Sequence, residues 1–129
     1  MPVAYTIDKE KGRVVSWGEG VVAWGDIVAH MEGLTKEPDF RPTFSQLIDF
    51  TKVTTIELTH DQIYELAKRT VFEKGAMRAF VAPTPIQYGL SRMFQSYRKI
   101  YGAETIHIFS DRGEATQWLD HGAQPKEPA

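Results

Sequence analysis

Cysteine is absent from the 129 residues of the sequence, which excludes disulfides, thiolate metal sites and cysteine nucleophiles. An excess of charge of one sign is also lacking. The net charge is only -2 at pH 7, so no overall basic field attracts nucleic acid. No apolar run approaches the roughly 20 residues that span a bilayer, and no basic region followed by an apolar run indicates a signal peptide. We therefore expect a soluble, cytoplasmic protein without a membrane span.

Common catalytic and nucleotide-binding motifs are missing as well. Gly18, Gly20 and Gly25 fit neither a phosphate loop nor a dinucleotide fingerprint, and no Gly-x-Ser-x-Gly sequence is present. None of the four histidines lies three or four residues from another, as metal ligands on one element would. Because no nucleophile, base and orienting group can be assembled, the sequence predicts a protein with no enzymatic activity, no cofactor and no metal.

What is present suits one globular domain. Hydrophobic residues make up 42% of the chain, enough for one core, and charged residues make up 25%, as on an ordinary soluble surface. The length is that of a single domain. We predict a domain over residues 1–122 and a disordered C-terminal tail over residues 123–129.

Alternating apolar residues between turn signals predict five strands. The first two form a hairpin around Gly12, and Val21 and Val22 extend the second strand past a glycine bulge. The predicted strands cover Val3 to Ile7, Arg13 to Trp17, Phe44 to Phe50, Met77 to Ala82 and Thr105 to Phe109.

Capping residues and helical spacing predict four helices. Asp26 caps the first, with Trp24 ahead of it, and Thr59 begins the second with Gln62 at capping-box spacing. The third runs from about Pro85 to Tyr101, and Asp111 opens the fourth. The order ββαβαβαβα predicts an α/β fold with a mixed, mainly parallel five-stranded sheet, in which the first hairpin supplies an antiparallel edge strand.

The third helix has the strongest amphipathic pattern. Its apolar residues fill one arc of roughly 140°, and the polar residues Gln87, Ser91 and Arg98 lie on the other side. We predict that Ile86, Leu90, Met93 and Tyr97 belong to the core. The sequence does not assign one role to the aromatic residues at the edges of this arc and before the first helix, which are Phe94, Tyr101 and Trp24. They suit a ligand cavity, a lipid tail, a second subunit or simple coverage of the sheet.

The segment from Leu47 to Thr59 reads as a buried strand, a loop and a helix cap. The hydroxyl of Thr59, at a helix N-terminus, suits a regulatory phosphate or another anion, and it equally suits an ordinary cap. Asp49 and Glu57 could act as an acid–base pair, although nothing in the sequence brings them together. Asp49 is also suited to accept hydrogen bonds from loop N–H groups.

Two stretches carry a resemblance to a known family: Ile48-Asp49-Phe50-Thr51-x-Val53-Thr54-x-Ile56-Glu57 and Gly89-Leu90-Ser91-Arg92-Met93-Phe94. With the element order, they resemble the STAS domain of SpoIIAA-type anti-sigma-factor antagonists. The resemblance runs from about Tyr5 to Leu119, and it is closer to the small stand-alone bacterial SpoIIAA-like proteins, a mostly uncharacterised group described as STAS/SEC14-like.

The resemblance implies a role for Thr59. In the antagonists, an Asp-Ser-Ser-Gly-type turn opens the helix after the strand, and a partner kinase phosphorylates its second serine. That turn corresponds to Glu57-Leu58-Thr59-His60 here, which puts Thr59 at the phosphoacceptor position. The sequence departs from the pattern at Leu58, in place of the first serine, and at His60, in place of the glycine.

Two functions follow as hypotheses. The first is a non-enzymatic regulatory module that docks a protein partner, such as a kinase or regulator, through the loop after the third strand; its residues would be Asp49, Thr51, Glu57, His60 and Asp61. The alternative is a small-molecule or lipid carrier, as the SEC14-like kinship implies. A ligand or a second subunit of a homodimer would then use the aromatic residues Trp24, Phe94, Tyr97 and Tyr101.

Overall fold

The computed structural model describes residues 2–69, 71–102 and 104–122, which form nine elements in the predicted order ββαβαβαβα. The predicted tail, residues 123–129, lies outside the described residues, and the boundary at residue 122 stays a prediction. The elements are β1 (Val3–Asp8), β2 (Arg13–Ala23), α1 (Trp24–Thr35), β3 (Ser45–Glu57), α2 (His60–Ala67), β4 (Met77–Val81), α3 (Pro85–Tyr101), β5 (Thr105–Phe109) and α4 (Arg112–Gly122).

The five strands, as described, form one sheet in the order β1-β2-β3-β4-β5. β1 pairs antiparallel with β2, and the other three pairs are parallel, which confirms the predicted mixed sheet with an antiparallel edge. Right-handed crossovers between strands in sequential order put α1, α2 and α3 on the same face. α4 packs on the opposite face, where Ala115 and Leu119 meet Leu47 and Ala79.

β3 is longer than the sequence analysis predicts. It continues to Glu57 because the β-branched residues after Val53 pair with the extended β2, through register shifts near Gly18 and Gly20. Gly20 has a φ of +67°, a conformation that a side chain disfavours. The prediction that the third strand ends at Phe50 is therefore wrong, and only Leu58 and Thr59 separate β3 from α2.

The helix starts follow local capping chemistry. Thr59 Oγ1 accepts from the Gln62 amide at 3.1 Å, and Gln62 Oε1 accepts from the Thr59 amide at 3.0 Å, which confirms the predicted capping box. The prediction that Asp26 is the N-cap of α1 is wrong. The helix begins at Trp24, and Asp26 accepts from the Ala23 amide at 2.9 Å from within the first turn.

The buried face of α3 is rotated away from the centre of its apolar arc toward the polar residues, although Leu90 and Phe94 of that arc still line the interior. The polar residues Gln87, Ser91 and Arg98 are buried, whereas Ile86 is 74% exposed and Ile100 is 67% exposed. The prediction of Ile86 as a core residue is therefore wrong. The physical reason is that the inward side of α3 meets polar partners, described below, which offset the cost of burying polar groups.

No helix within the described parts of the chain is both long and apolar enough to cross a membrane.

Candidate functional site

The helices cover the middle of the sheet only in part. α1 packs on β1 and β2, α3 packs on β5, and α2 packs on α3. On the helix side of the central strand, Ile48 and Phe50 remain only half-buried, whereas Leu47 on the α4 side is 2% exposed. A cleft therefore runs between α1 and the α2–α3 pair, and β3 and β4 form its floor.

This cleft contains a cavity of about 110 Å³. Engineered apolar cavities of about 150 Å³ take up benzene, and this somewhat smaller volume suits a short segment of hydrocarbon chain. Apolar side chains from all three helices and from the floor line it, among them Ile27, Met31, Ile48, Phe50, Ile63 and Phe94.

A hydrogen-bonded chain of buried polar side chains crosses the floor. His30 Nε2 lies 2.9 Å from Ser16 Oγ, and Gln46 donates from Nε2 to the same Ser16 oxygen at 3.1 Å. Arg78 then donates from Nε to Gln46 Oε1 at 2.9 Å. His30, Gln46 and Arg78 all line the cavity, so this polar chain forms part of its wall.

The chain continues to an ion cluster below α3. Arg78 Nη1 lies 2.9 Å from Glu104, and Arg98 binds both carboxylate oxygens of Glu104, at 3.0 and 2.6 Å. Arg98 also donates to the carbonyl of Ala67, at the C-terminal end of α2, where free carbonyls need donors. Two guanidinium groups thus share one carboxylate whose side chain is 2% exposed.

Burial and neighbouring charges shift the pKa values of this cluster. Burial, helped by the positive charge of Arg78, lowers the pKa of His30 to about 4. Burial also lowers the pKa of Arg78 to about 10, although Glu104 opposes the shift. Burial raises the pKa of Glu104, but the hydrogen bond from Arg98 and the charge of Arg78 outweigh it, and the net shift is downward. At neutral pH His30 is uncharged and the other two groups are ionised.

The four predicted ligand-face aromatics occupy different places. Phe94 lines the cavity and stacks on Phe80 with ring centroids 5.8 Å apart. Tyr97 and Tyr101 pack against Tyr64 on the outer side of the α2–α3 pair. Trp24 is the first residue of α1, not a residue before it, and its ring lies 5.5 Å from the guanidinium of Arg69. Self-association through these residues stays a prediction.

The predicted docking residues are split between two places. Thr59, His60 and Asp61 are exposed at the start of α2. Asp49 and Thr51 lie within β3, not in a loop, and Asp49 accepts from the Thr51 amide at 2.8 Å and from Arg112 at 2.9 Å.

Glu57 closes β3, eight residues beyond Asp49. Along a strand that separation is about 26 Å, so the two carboxylates do not form an acid–base pair. The described residues also contain no group of three or more His, Asp or Glu side chains that could hold a metal ion.

Sequence reasoning missed the buried polar chain through Ser16, His30, Gln46 and Arg78. A signal for it exists: Arg78 is a charged residue in an otherwise apolar strand, and Gln46 directly precedes the apolar pair Leu47-Ile48 of β3. Alternate residues of a strand face the same side of the sheet, so a polar residue among them can face a side that the helices cover only in part. The sequence does not show that both face the cleft.

Comparison with solved structures supports the fold assignment. The chain is similar to an uncharacterised protein of the DUF3478 family with a SpoIIAA-like fold from Shewanella loihica PV-4; the TM-score is 0.58 and the identity 16%, over 91% of this chain and 93% of that chain. No protein-family model and no curated protein matches the sequence. This likeness confirms the predicted SpoIIAA-like, STAS-type fold.

Proposed function

We propose that this protein is a non-enzymatic binding protein that holds a small apolar or amphiphilic molecule in the cleft between α1 and the α2–α3 pair. One observation carries the proposal. The helix side of the central strand, at Ile48 and Phe50, is only partly buried and borders a cavity. A concave, mainly apolar site with a few convergent polar groups is the usual form of a small-molecule site.

The energetic argument supports an occupant. Burial of apolar surface stabilises by roughly 25 cal/mol per Å², and the apolar side chains that border this cavity are packed less closely than those of an ordinary core. A ligand with an apolar part recovers this stabilisation, so binding and stability are linked.

Native mass spectrometry of freshly purified protein tests the proposal. We expect a fraction of the protein to carry a hydrophobic adduct. The variant Ile48→Trp, which fills the cavity from its floor, should lose this adduct. Ile100→Trp is the matched control, because Ile100 is exposed on α3 outside the cavity lining. Repeated preparations without any adduct, or equal adducts in both variants, would count against the cavity as the binding site.

A second candidate is the regulatory interaction module. It is favoured by one observation, the exposure of Thr59, His60 and Asp61 together at the start of α2. A protein partner of kinase or regulator type would meet the chain there, and a phosphate on Thr59 would lie at the positive end of the helix dipole.

A comparison of partners isolated from native lysate by wild type and by Thr59→Asp tests this second function. Aspartate is also a good N-cap, so the variant keeps α2 intact while adding a negative charge. The interaction hypothesis predicts different partner sets. The same partners in the same amounts with both proteins would contradict it.

A further inference from the structure

The charged groups around the cavity are all of one sign. Arg69 and Arg78 belong to its lining, and no Asp or Glu among the described residues does. His30 also lines it, but with a pKa of about 4 it is uncharged at neutral pH. The cavity therefore presents positive charge, and only positive charge, to a molecule that enters it.

Arg78 is held in a fixed position at the floor. Its guanidinium carbon lies 4.6, 5.4 and 5.6 Å from the ring centroids of Phe72, Phe80 and Phe94. Aromatic rings on several sides restrict the orientation of the cation. Its hydrogen bonds use Nε and Nη1, and Nη2 makes none to residues 2–69, 71–102 or 104–122.

The cluster of Arg78, Arg98 and Glu104 has a net charge of +1. Arg78 and Arg98 each carry one positive charge, and Glu104, their shared partner, carries one negative charge. An unbalanced buried charge is costly. A single negative charge placed beside Arg78 would remove the imbalance, whereas a doubly charged group would leave an extra negative charge in the same apolar surroundings.

We propose that the cavity binds a monocarboxylic acid with an apolar tail, whose carboxylate pairs with Arg78 and whose tail lies along Ile48 and Phe50. A guanidinium suits a planar carboxylate because it offers donors in the same plane. The inference rests on the proposed function of small-molecule binding and adds the chemical class of the ligand.

Titrations of the full-length, ¹⁵N-labelled protein followed by amide chemical shifts test the inference. The probes are octanoate, octan-1-ol and octyl phosphate, which share one tail and differ in the head group. At pH 7 we expect all three to shift residues of the cleft. Octanoate should bind at least tenfold more tightly than octan-1-ol, and more tightly than octyl phosphate.

The variant Arg78→Gln assigns the preference to one residue. In this variant octanoate and octan-1-ol should bind with the same affinity, so that the preference for the carboxylate is lost. Arg98 retains Glu104 as a partner in this variant, which favours folding. Arg92→Gln is the matched control, because Arg92 is exposed on α3 beside Tyr88 and outside the lining. If Arg78→Gln does not fold, the comparison of the three probes in the wild type decides the question.

The outcomes separate this inference from the proposed function. Equal binding of octanoate and octan-1-ol, tighter binding of octyl phosphate, or an octanoate preference that survives Arg78→Gln would each overturn the carboxylate assignment while cavity binding stands. If none of the probes shifts a cleft residue, the proposed function fails together with it.

Discussion

At the scale of single residues, Glu104 is the one carboxylate that pairs with both Arg78 and Arg98. Glu104→Gln removes the charge and leaves both guanidinium groups without an anionic partner. Breaking a buried ion pair in this way costs about 3–5 kcal/mol, and we expect a loss of that order in the free energy of unfolding. Urea denaturation measures it.

A surface ion pair supplies the control for Glu104. Glu65 pairs with Lys68 at 3.1 Å, and both side chains are largely exposed. Glu65→Gln should change the free energy of unfolding by less than about 1 kcal/mol. Similar losses in the two variants would show that the buried cluster stabilises the fold no more than an exposed pair does.

His30 should make stability depend on pH. Its folded pKa of about 4 lies below the ordinary value of 6.5, so the unfolded chain takes up a proton at a higher pH than the folded protein does. The stability that depends on a neutral His30 is fully present above pH 6.5 and is lost as the pH falls toward 4. By linkage it amounts to about 3 kcal/mol.

Denaturation at a series of pH values, in wild type and in His30→Gln, measures this contribution. We expect the loss of stability between pH 6.5 and 4.5 to be much smaller in the variant. Glu104 and Asp49 have lowered pKa values, so the stability that these carboxylates contribute is lost mainly below pH 4.5. Parallel curves for the two proteins would mean that protonation of His30 does not oppose folding.

At the scale of elements, the rotated buried face of α3 leads to a counterintuitive prediction. Gln87 donates to the carbonyls of Phe50 and Val53 at 3.1 and 3.0 Å, in the part of β3 beyond its pairing with β4. Gln87→Ala leaves both carbonyls without this donor and should cost about 1–3 kcal/mol. Ile86→Ala, at an exposed position one residue earlier, should cost less than about 0.5 kcal/mol. Thermal and urea denaturation compare the two. A larger loss for Ile86→Ala would mean that α3 buries its apolar side after all.

The contrast between α2 and α3 explains how much the sequence could predict. The start of α2 depends on a local contact between Thr59 and Gln62, so spacing alone reveals it. The orientation of α3 depends on Glu104 and on the carbonyls of β3, which are distant in sequence, and helical periodicity carries no information about them. The extension of β3 past Phe50 was missed for a related reason, since it depends on pairing with β2.

At the scale of the whole molecule, the same limit applies to the candidate site. The element order predicts that three helices share one face of the sheet, but it does not predict that they stand apart over β3. That gap is a property of how α1, α2 and α3 pack, and the cavity and its arginine follow from it. Local sequence signals therefore indicate the exposed start of α2 and a ligand face that includes Phe94, but they do not locate the cleft between the helices.

The packing of α2 predicts how the cleft opens. α2 has eight residues and rests on α3, and its inner residues Ile63 and Leu66 face the cavity instead of the sheet. A short helix that rests mainly on another helix and not on the sheet opens locally at lower cost than a long helix packed on strands. We therefore expect the amides of α2 to exchange with deuterium faster than those of α1 and α3, and to slow when octanoate fills the cavity.

Tyr64→Phe, which removes a hydroxyl contact to Tyr101, should speed exchange in α2 further. If α1 exchanges fastest and responds most to octanoate, the opening wall is α1 and the assignment of α2 as the mobile side is wrong.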